Sequence, residues 1–280
     1  MHREDEALAR AAVDALVAHA ELTPKPGLPD TREPDFGALR WSAGALAPGF
    51  AAMAAAARRT GTPTRTLREE LGAIGRSAER CMARAAGGGS PHHGAVFALG
   101  LLVAAAALEP GTSPAELPAV AGRIAAFPDR RAPRVPSAGA SVASRFGAAG
   151  ARGEAKAGFP HVRRALTALG TARRAGGREP EARLIALLTV MSTLQDTGPL
   201  HTSGPPGLRA VQAGAREVLD ACGVVTDRDD GQLRAFDASL REQRLRPRGS
   251  GQLLAGALFL DGLRSGAVAP AVTSRGCGAR

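Results

Sequence analysis

A chain of 280 residues, 44% hydrophobic and 22% charged, is long enough to bury a core in one large domain or two domains of roughly 100–200 residues. Its apolar content is carried by Ala, Leu and Val, with aromatics at only 3%, which favours close-packed helices over a sheet sandwich because Ala is a good helix former and a poor strand former. The formal charge of +10 is spread over scattered arginines, without long like-charge blocks or aromatic platforms for stacking bases, and so argues for anionic small molecules rather than nucleic acid.

The opening Met1-His2-Arg3-Glu4-Asp5-Glu6 is too acidic and polar to lead a secretory signal. Apolar residues recur at helical spacing over residues 6–22, and Thr23-Pro24-Lys25-Pro26-Gly27 ends that pattern. A polar loop to Asp35 is followed by helical spacing over residues 43–59, 66–86, 91–108 and 114–126. The run 95–108 is the most apolar; it falls short of the roughly 18 residues of a membrane span and predicts a buried central helix. Ser113-Pro114-Ala115-Glu116 places a capping serine, a proline at the first helical position and a glutamate reaching back. Residues 128–152, rich in Arg, Pro, Gly and Ser, read as a long loop or as a short helix between loops. Helical spacing resumes over 154–172, 181–195, 207–221, 231–244 and 251–263.

No stretch alternates apolar and polar residues, which argues against a parallel sheet and a dinucleotide-binding fold. The expectation is an all-α protein, one globular multi-helix domain over residues 1–264 with a flexible tail over 265–280. Cys81, Cys222 and Cys277 are odd in number and lack metal-ligand spacing, as expected of reduced thiols in a cytoplasmic protein.

Three segments carry chemistry. In Gly87-Gly88-Gly89-Ser90-Pro91-His92-His93-Gly94, Ser90 suits an N-cap, Pro91 the first helical position, and both imidazoles the first turn. Such a helix start receives phosphate on free N–H groups; the alternative is a plain Gly-rich turn with two solvent-facing histidines. In Gly150-Ala151-Arg152-Gly153-Glu154, an arginine able to grip phosphate precedes a carboxylate able to act as base or metal ligand, although a glutamate in a first turn also simply suits the helix dipole. In Met191-Ser192-Thr193-Leu194-Gln195-Asp196, the carboxylate closes an apolar helix at its unfavourable dipole end, which points either to metal or hydroxyl binding or to an exposed helix terminus.

These segments, preceded by Leu22-Thr23-Pro24-Lys25-Pro26-Gly27-Leu28 and followed by a Gly-rich helix start near Gly251-Gln252-Leu253-Leu254-Ala255, resemble the triphosphoribosyl-dephospho-CoA synthase family from about Leu16 to Leu263. That family joins the triphosphoribosyl part of ATP to the ribose 2′-hydroxyl of 3′-dephospho-CoA and releases adenine, in the maturation of citrate lyase and malonate decarboxylase carrier proteins. The resemblance implies that Lys25, His92 and Arg152 face phosphates, that Glu154 and Asp196 bind Mg²⁺ or act as base, and that His201 lies near the substrates. Ser90 belongs to the same phosphate-binding set, and His93 stands where the family has a basic residue. ATP and 3′-dephospho-CoA are then the implied partners, without nucleic acid or membrane, and a homo-oligomer is compatible with the resemblance.

The sequence departs from the family pattern at Thr31, Glu33, Gly198, Thr202, Pro206 and Gln252, where His, Asp, Asn, Arg, Glu and Asp are expected. A related enzyme with another nucleotide or phosphoribosyl substrate and a non-catalytic helical module are therefore kept as alternatives.

Overall fold

Alanine and leucine at helical spacing favour helix, and the computed structural model, which describes residues 2–33, 36–88, 92, 94–221 and 231–264, is built from helices. They are α1 (Arg3–Glu21), α2 (Phe36–Gly44), α3 (Ala47–Thr60), α4 (Arg65–Ala85), α5 (Ala95–Leu108), α6 (Leu117–Ala126) and α7 (Ala138–Phe146). The second half continues with α8 (Gly150–Lys156), α9 (Pro160–Arg174), α10 (Glu179–Met191), α11 (Thr197–Ala221), α12 (Gly231–Glu242) and α13 (Arg248–Arg264). No strand occurs among the described residues, and no described helix is long and apolar enough to cross a membrane.

Two helices sit inside the others. Along α5 every residue except Phe97 and Ala106 is buried, and α13 is buried from Ser250 to Leu260 apart from Gln252. A helix without a polar face must be covered all round, and α5 is indeed covered by α1, α3, α4, α6 and α13. Small residues let the axes approach: a β-carbon at Gly256 would lie 3.2 Å from both Leu102 and Val162, so α13 meets α5 and α9 over bare backbone. The aromatic-poor core thus works through close helix spacing rather than large side chains.

Several boundaries differ from the sequence reading, each for a local reason. The stretch expected to be one helix over 43–59 is α3, opened by a proline in its first turn, with the separate short helix α2 ahead of it. The Ser113 to Glu116 segment forms a hydrogen-bonded turn, and α6 starts only at Leu117. Within 128–152 lies α7, capped by the Ser137 hydroxyl on the Ala140 N–H and stopped at Gly147, whose φ of 66° suits glycine. The stretch 154–172 is split into α8 and α9 at Gly158 and Phe159, both with positive φ. The last helix before residue 221 starts earlier than expected, at Thr197, and carries a kink at Ser203 and Gly204 ahead of Pro205 and Pro206.

The loop between α1 and α2 is tied to α12 by charge. Arg32 donates to both oxygens of Asp30 and to Asp237, while Arg241 donates to Asp237 and Glu33, and the Gly27 N–H reaches Asp237 at 2.9 Å. Burial of Asp30 favours its neutral form, but the Arg32 hydrogen bonds outweigh this and hold the carboxyl below its usual range. Glu33, where the family pattern has Asp, reaches Arg241 in this network.

Candidate functional site

Three consecutive residues of the first turn of α13 each meet a different one of the sequence segments. Ser250 donates both its N–H (2.8 Å) and its hydroxyl (3.0 Å) to Asp196. A β-carbon at Gly251 would stand 2.7 Å from His19 Nε2 and 3.0 Å from Leu28, so α1 and the Lys25 loop press directly on the backbone there. The Gln252 side-chain amide lies over Gly94, where a β-carbon would overlap it, and so covers the start of α5. Stretches far apart in the chain therefore converge where α5 and α13 begin, next to the C-terminal end of α1.

The charged residues singled out from the sequence are mostly buried at helix ends. Lys25 is 1% exposed and donates from Nζ to the carbonyls of His19 (2.8 Å) and Ala20 (3.4 Å), so it caps the last turn of α1. Burial lowers its pKa to about 8, with the nearby Asp30 acting in the opposite direction. Glu154 accepts the His161 N–H and pairs with His161 Nδ1, both at 2.8 Å, which holds the first turn of α9. Because a carboxylate only accepts, Nδ1 carries the proton in this pair.

Asp196 accepts four hydrogen bonds, from the Gly198, Gly249 and Ser250 N–H groups and from the Ser250 hydroxyl. Here the sequence reading is corrected: α10 ends at Met191, and Asp196 stands just ahead of α11 and against the start of α13. It therefore meets the positive ends of two helices, where a carboxylate is favoured, rather than the negative end of one. Burial nevertheless pushes its pKa up, against the four donors that favour the anion.

The other predicted residues are placed differently. His92 is buried, with Nε2 2.8 Å from the Leu39 carbonyl, so it is not one of two solvent-facing histidines. Burial lowers its pKa; the bond to Leu39 works the other way, and the charge of Lys25 lowers it further. Arg152 and His201 are exposed and near the starts of α8 and α11. The Ala149 N–H donates to Gln195 at 3.4 Å, which links the Arg152 segment to the Asp196 segment. Ser90 and His93 lie outside the described residues, as do Cys222 and Cys277.

Sequence reasoning missed His19, His161 and Arg68. His19 Nε2 is buried without a hydrogen-bond partner among the described residues, and burial, Lys25 and His92, in that order, hold its pKa well below the usual histidine value. The spacing of His19 one turn before the Thr23 break was a visible signal; nothing local marked His161 or Arg68.

Departures from the family pattern also have places. A β-carbon at Gly198 would overlap the Arg246 carbonyl, so a larger residue there needs the α12–α13 connection to move. Thr31 pairs with Thr23 at 2.7 Å, and the Thr202 hydroxyl donates to the Gly198 carbonyl.

At Glu154 and Asp196, the two carboxylates expected to hold Mg²⁺, a metal would share its oxygens with hydrogen-bond donors of the chain. Both oxygens of each are taken by N–H or O–H donors, and no group of three or more His, Cys, Asp or Glu suited to a metal occurs among the described residues.

Replacing Glu154 by Ala should lower stability by about 2–3 kcal/mol, since a charge-assisted cap and a buried pair are lost together. Urea unfolding measures this, and a change within about 0.5 kcal/mol would mean that the α9 start does not depend on Glu154.

The segments that meet at the start of α13 lie within the reach of the matches to known proteins. The profile of the CitG family, ATP:dephospho-CoA triphosphoribosyl transferase, matches residues 5–270. A Stutzerimonas stutzeri protein named probable 2-(5''-triphosphoribosyl)-3'-dephosphocoenzyme-A synthase is 46% identical over 273 residues, covering 95% of this chain and 94% of its own length. Relatives of the same name from Pseudomonas fluorescens and Azotobacter vinelandii are 46% and 45% identical, each covering more than nine tenths of both chains. No solved structure matches. With the match running through every segment that meets at α13, the chain belongs to the ATP:dephospho-CoA triphosphoribosyl transferase family.

Proposed function

We propose that this chain transfers the triphosphoribosyl group of ATP to the ribose 2′-hydroxyl of 3′-dephospho-CoA. The bond from the ATP ribose C1′ to adenine breaks, a bond from C1′ to the acceptor oxygen forms, and the hydroxyl proton leaves with adenine. The observation that carries this reading is the convergence of the family segments on Ser250, Gly251 and Gln252. The product is the precursor of the prosthetic group of a malonate decarboxylase or citrate lyase carrier protein, made in the cytoplasm.

Among the residues named from sequence, Arg152 and His201 are exposed and take the substrate-facing roles. Lys25, His92 and Asp196 are positioning residues that act through the helix ends and the α2 carbonyl they bind. Glu154 serves as the base through His161, whose Nε2 has no hydrogen-bond partner among the described residues while Nδ1 is held by the carboxylate. Mg²⁺ in this reading arrives with the phosphates of ATP, not as a resident ion.

The reading is tested by incubating purified protein with ATP, 3′-dephospho-CoA and Mg²⁺ and following adenine by chromatography with mass detection. Adenine together with a triphosphoribosylated dephospho-CoA is expected; no adenine from folded protein beside an active relative would favour a different nucleotide substrate or a silent module. His161→Gln keeps the backbone cap on Glu154 and removes the imidazole. Its adenine release should fall by about 10²–10⁴-fold if the pair takes the proton, and stay at the wild-type level if Glu154 only caps α9.

A further inference from the structure

On α4, Arg68, Gly72 and Arg76 are spaced four residues apart and share one face. The carboxylate of Asp129, beyond the end of α6, lodges in the notch at Gly72, where a β-carbon would overlap it. Its Oδ1 accepts the Arg131 N–H at 3.0 Å, and its Oδ2 accepts from Arg76 at 2.8 Å. Arg68 is left 3.7 Å from that same Oδ2, beyond hydrogen-bond range.

Arg68 is an unusual cation. It is 8% exposed and has no hydrogen bond among the described residues, its closest other partner being the Phe97 ring at 5.4 Å. A guanidinium carries five N–H donors, and burying it without partners is costly. Arg152, exposed on α8, is close enough for its charge to act on Arg68, and it has no ion pair among the described residues. Two guanidiniums, Arg68 and Arg76, thus share one carboxylate that already serves a backbone N–H, and the charge of Arg152 acts on Arg68 without a carboxylate of its own among the described residues. An ion-pair cluster that merely fastened the loop after α6 to α4 would require only Arg76 and Asp129. Phe97 lies in the first turn of α5, so Arg68 flanks the same helix start that Gln252 covers.

We propose that Arg68, Arg76 and Arg152 form a cradle for a polyphosphate chain, either the triphosphate of ATP or the diphosphate of 3′-dephospho-CoA. A phosphate oxygen would supply the acceptor that Arg68 lacks, and the fork geometry of the guanidiniums matches phosphate. The proposal deepens the transferase reading and rests on it for the identity of the substrates, but the anion site itself does not depend on turnover.

The test is calorimetric titration of the full chain with tripolyphosphate and, separately, with 3′-dephospho-CoA. Arg152→Gln is the main variant because Arg152 supports no ion pair among the described residues; Arg76→Gln is the second, and Arg10→Gln, on α1, is an equal-charge control. Loss of at least about tenfold in affinity for one of the two probes is expected in both cradle variants, with Arg10→Gln within about twofold of wild type and folding checked by circular dichroism. The probe that weakens identifies the source of the phosphates. Unchanged affinity for both probes in folded Arg152→Gln and Arg76→Gln, or an equal loss in Arg10→Gln, would overturn the cradle. Arg152-dependent binding without adenine release would keep the cradle and sink the transferase reading; adenine release with no dependence on Arg152 or Arg76 would do the reverse.

Discussion

Replacing Asp196 by Ala is expected to lower stability by about 3–5 kcal/mol and to remove adenine release, the largest effect of any single side chain near α13. The carboxylate is fully buried and satisfies three backbone N–H groups and one hydroxyl from two helix starts. Truncation leaves those donors facing a void, and each unsatisfied buried donor costs about 1–3 kcal/mol, less whatever water and relaxation recover. Losing the anchor also frees the first turn of α13 to move away from Lys25 and α5. Asp196→Asn keeps one acceptor oxygen and turns the other into a donor that faces an N–H, so an intermediate loss is expected. Urea unfolding of the two variants checks this order; an Ala variant as stable as wild type would show that the two helix starts are held by something else.

Lys25 should make stability depend on pH in the direction opposite to a surface lysine. Its folded pKa of about 8 lies below the ordinary 10.5, so between these values the unfolded chain binds a proton that the folded protein does not. Stability therefore rises with pH across that window. Below about 8 the folded state bears the full cost of a buried ammonium, and above 10.5 neither state is charged at this site. The difference of about 2.5 pH units corresponds to about 3 kcal/mol. Comparing urea midpoints of wild type and Lys25→Met from pH 7.5 to 10 isolates the effect, because other titrating groups cancel in the difference. A difference that does not change with pH would mean that the α1 carbonyls offset the burial of Lys25 completely.

Both expectations follow from one feature of this molecule. Lys25, read in sequence as facing phosphate, and Glu154 and Asp196, read as base or metal ligand, each hold a helix end. Their replacement by alanine consequently reports on stability as well as chemistry, and activity loss alone does not identify a base or a metal ligand. Conservative variants that spare the helix ends, such as His161→Gln and Arg152→Gln, separate the two.

The helical class, the burial of α5 and the segments that place the chain in its family were legible from composition, spacing and short motifs. These are local properties: alanine and leucine at helical period favour helix whatever surrounds them, and an unbroken apolar run must be covered. For residues 128–152 a long loop and a short helix both stayed open, because the stretch is rich in residues that end helices as readily as they cap them, and only packing against α8 and α11 decides for α7. The placement of Asp196 was misread because the same residue closes one helix in sequence and opens two in space. Its partner residues Gly249 and Ser250 are more than fifty positions away, so no window along the chain contains the bond.

Sequence by itself thus determined the helical class, the apolar run that becomes α5 and the family chemistry, since each depends on neighbours along the chain. Tertiary structure alone decided which charges face solvent and which hold helix ends, and that Arg68 lies next to Asp129 and Phe97, because burial and charge pairing depend on residues brought together only when the helices pack.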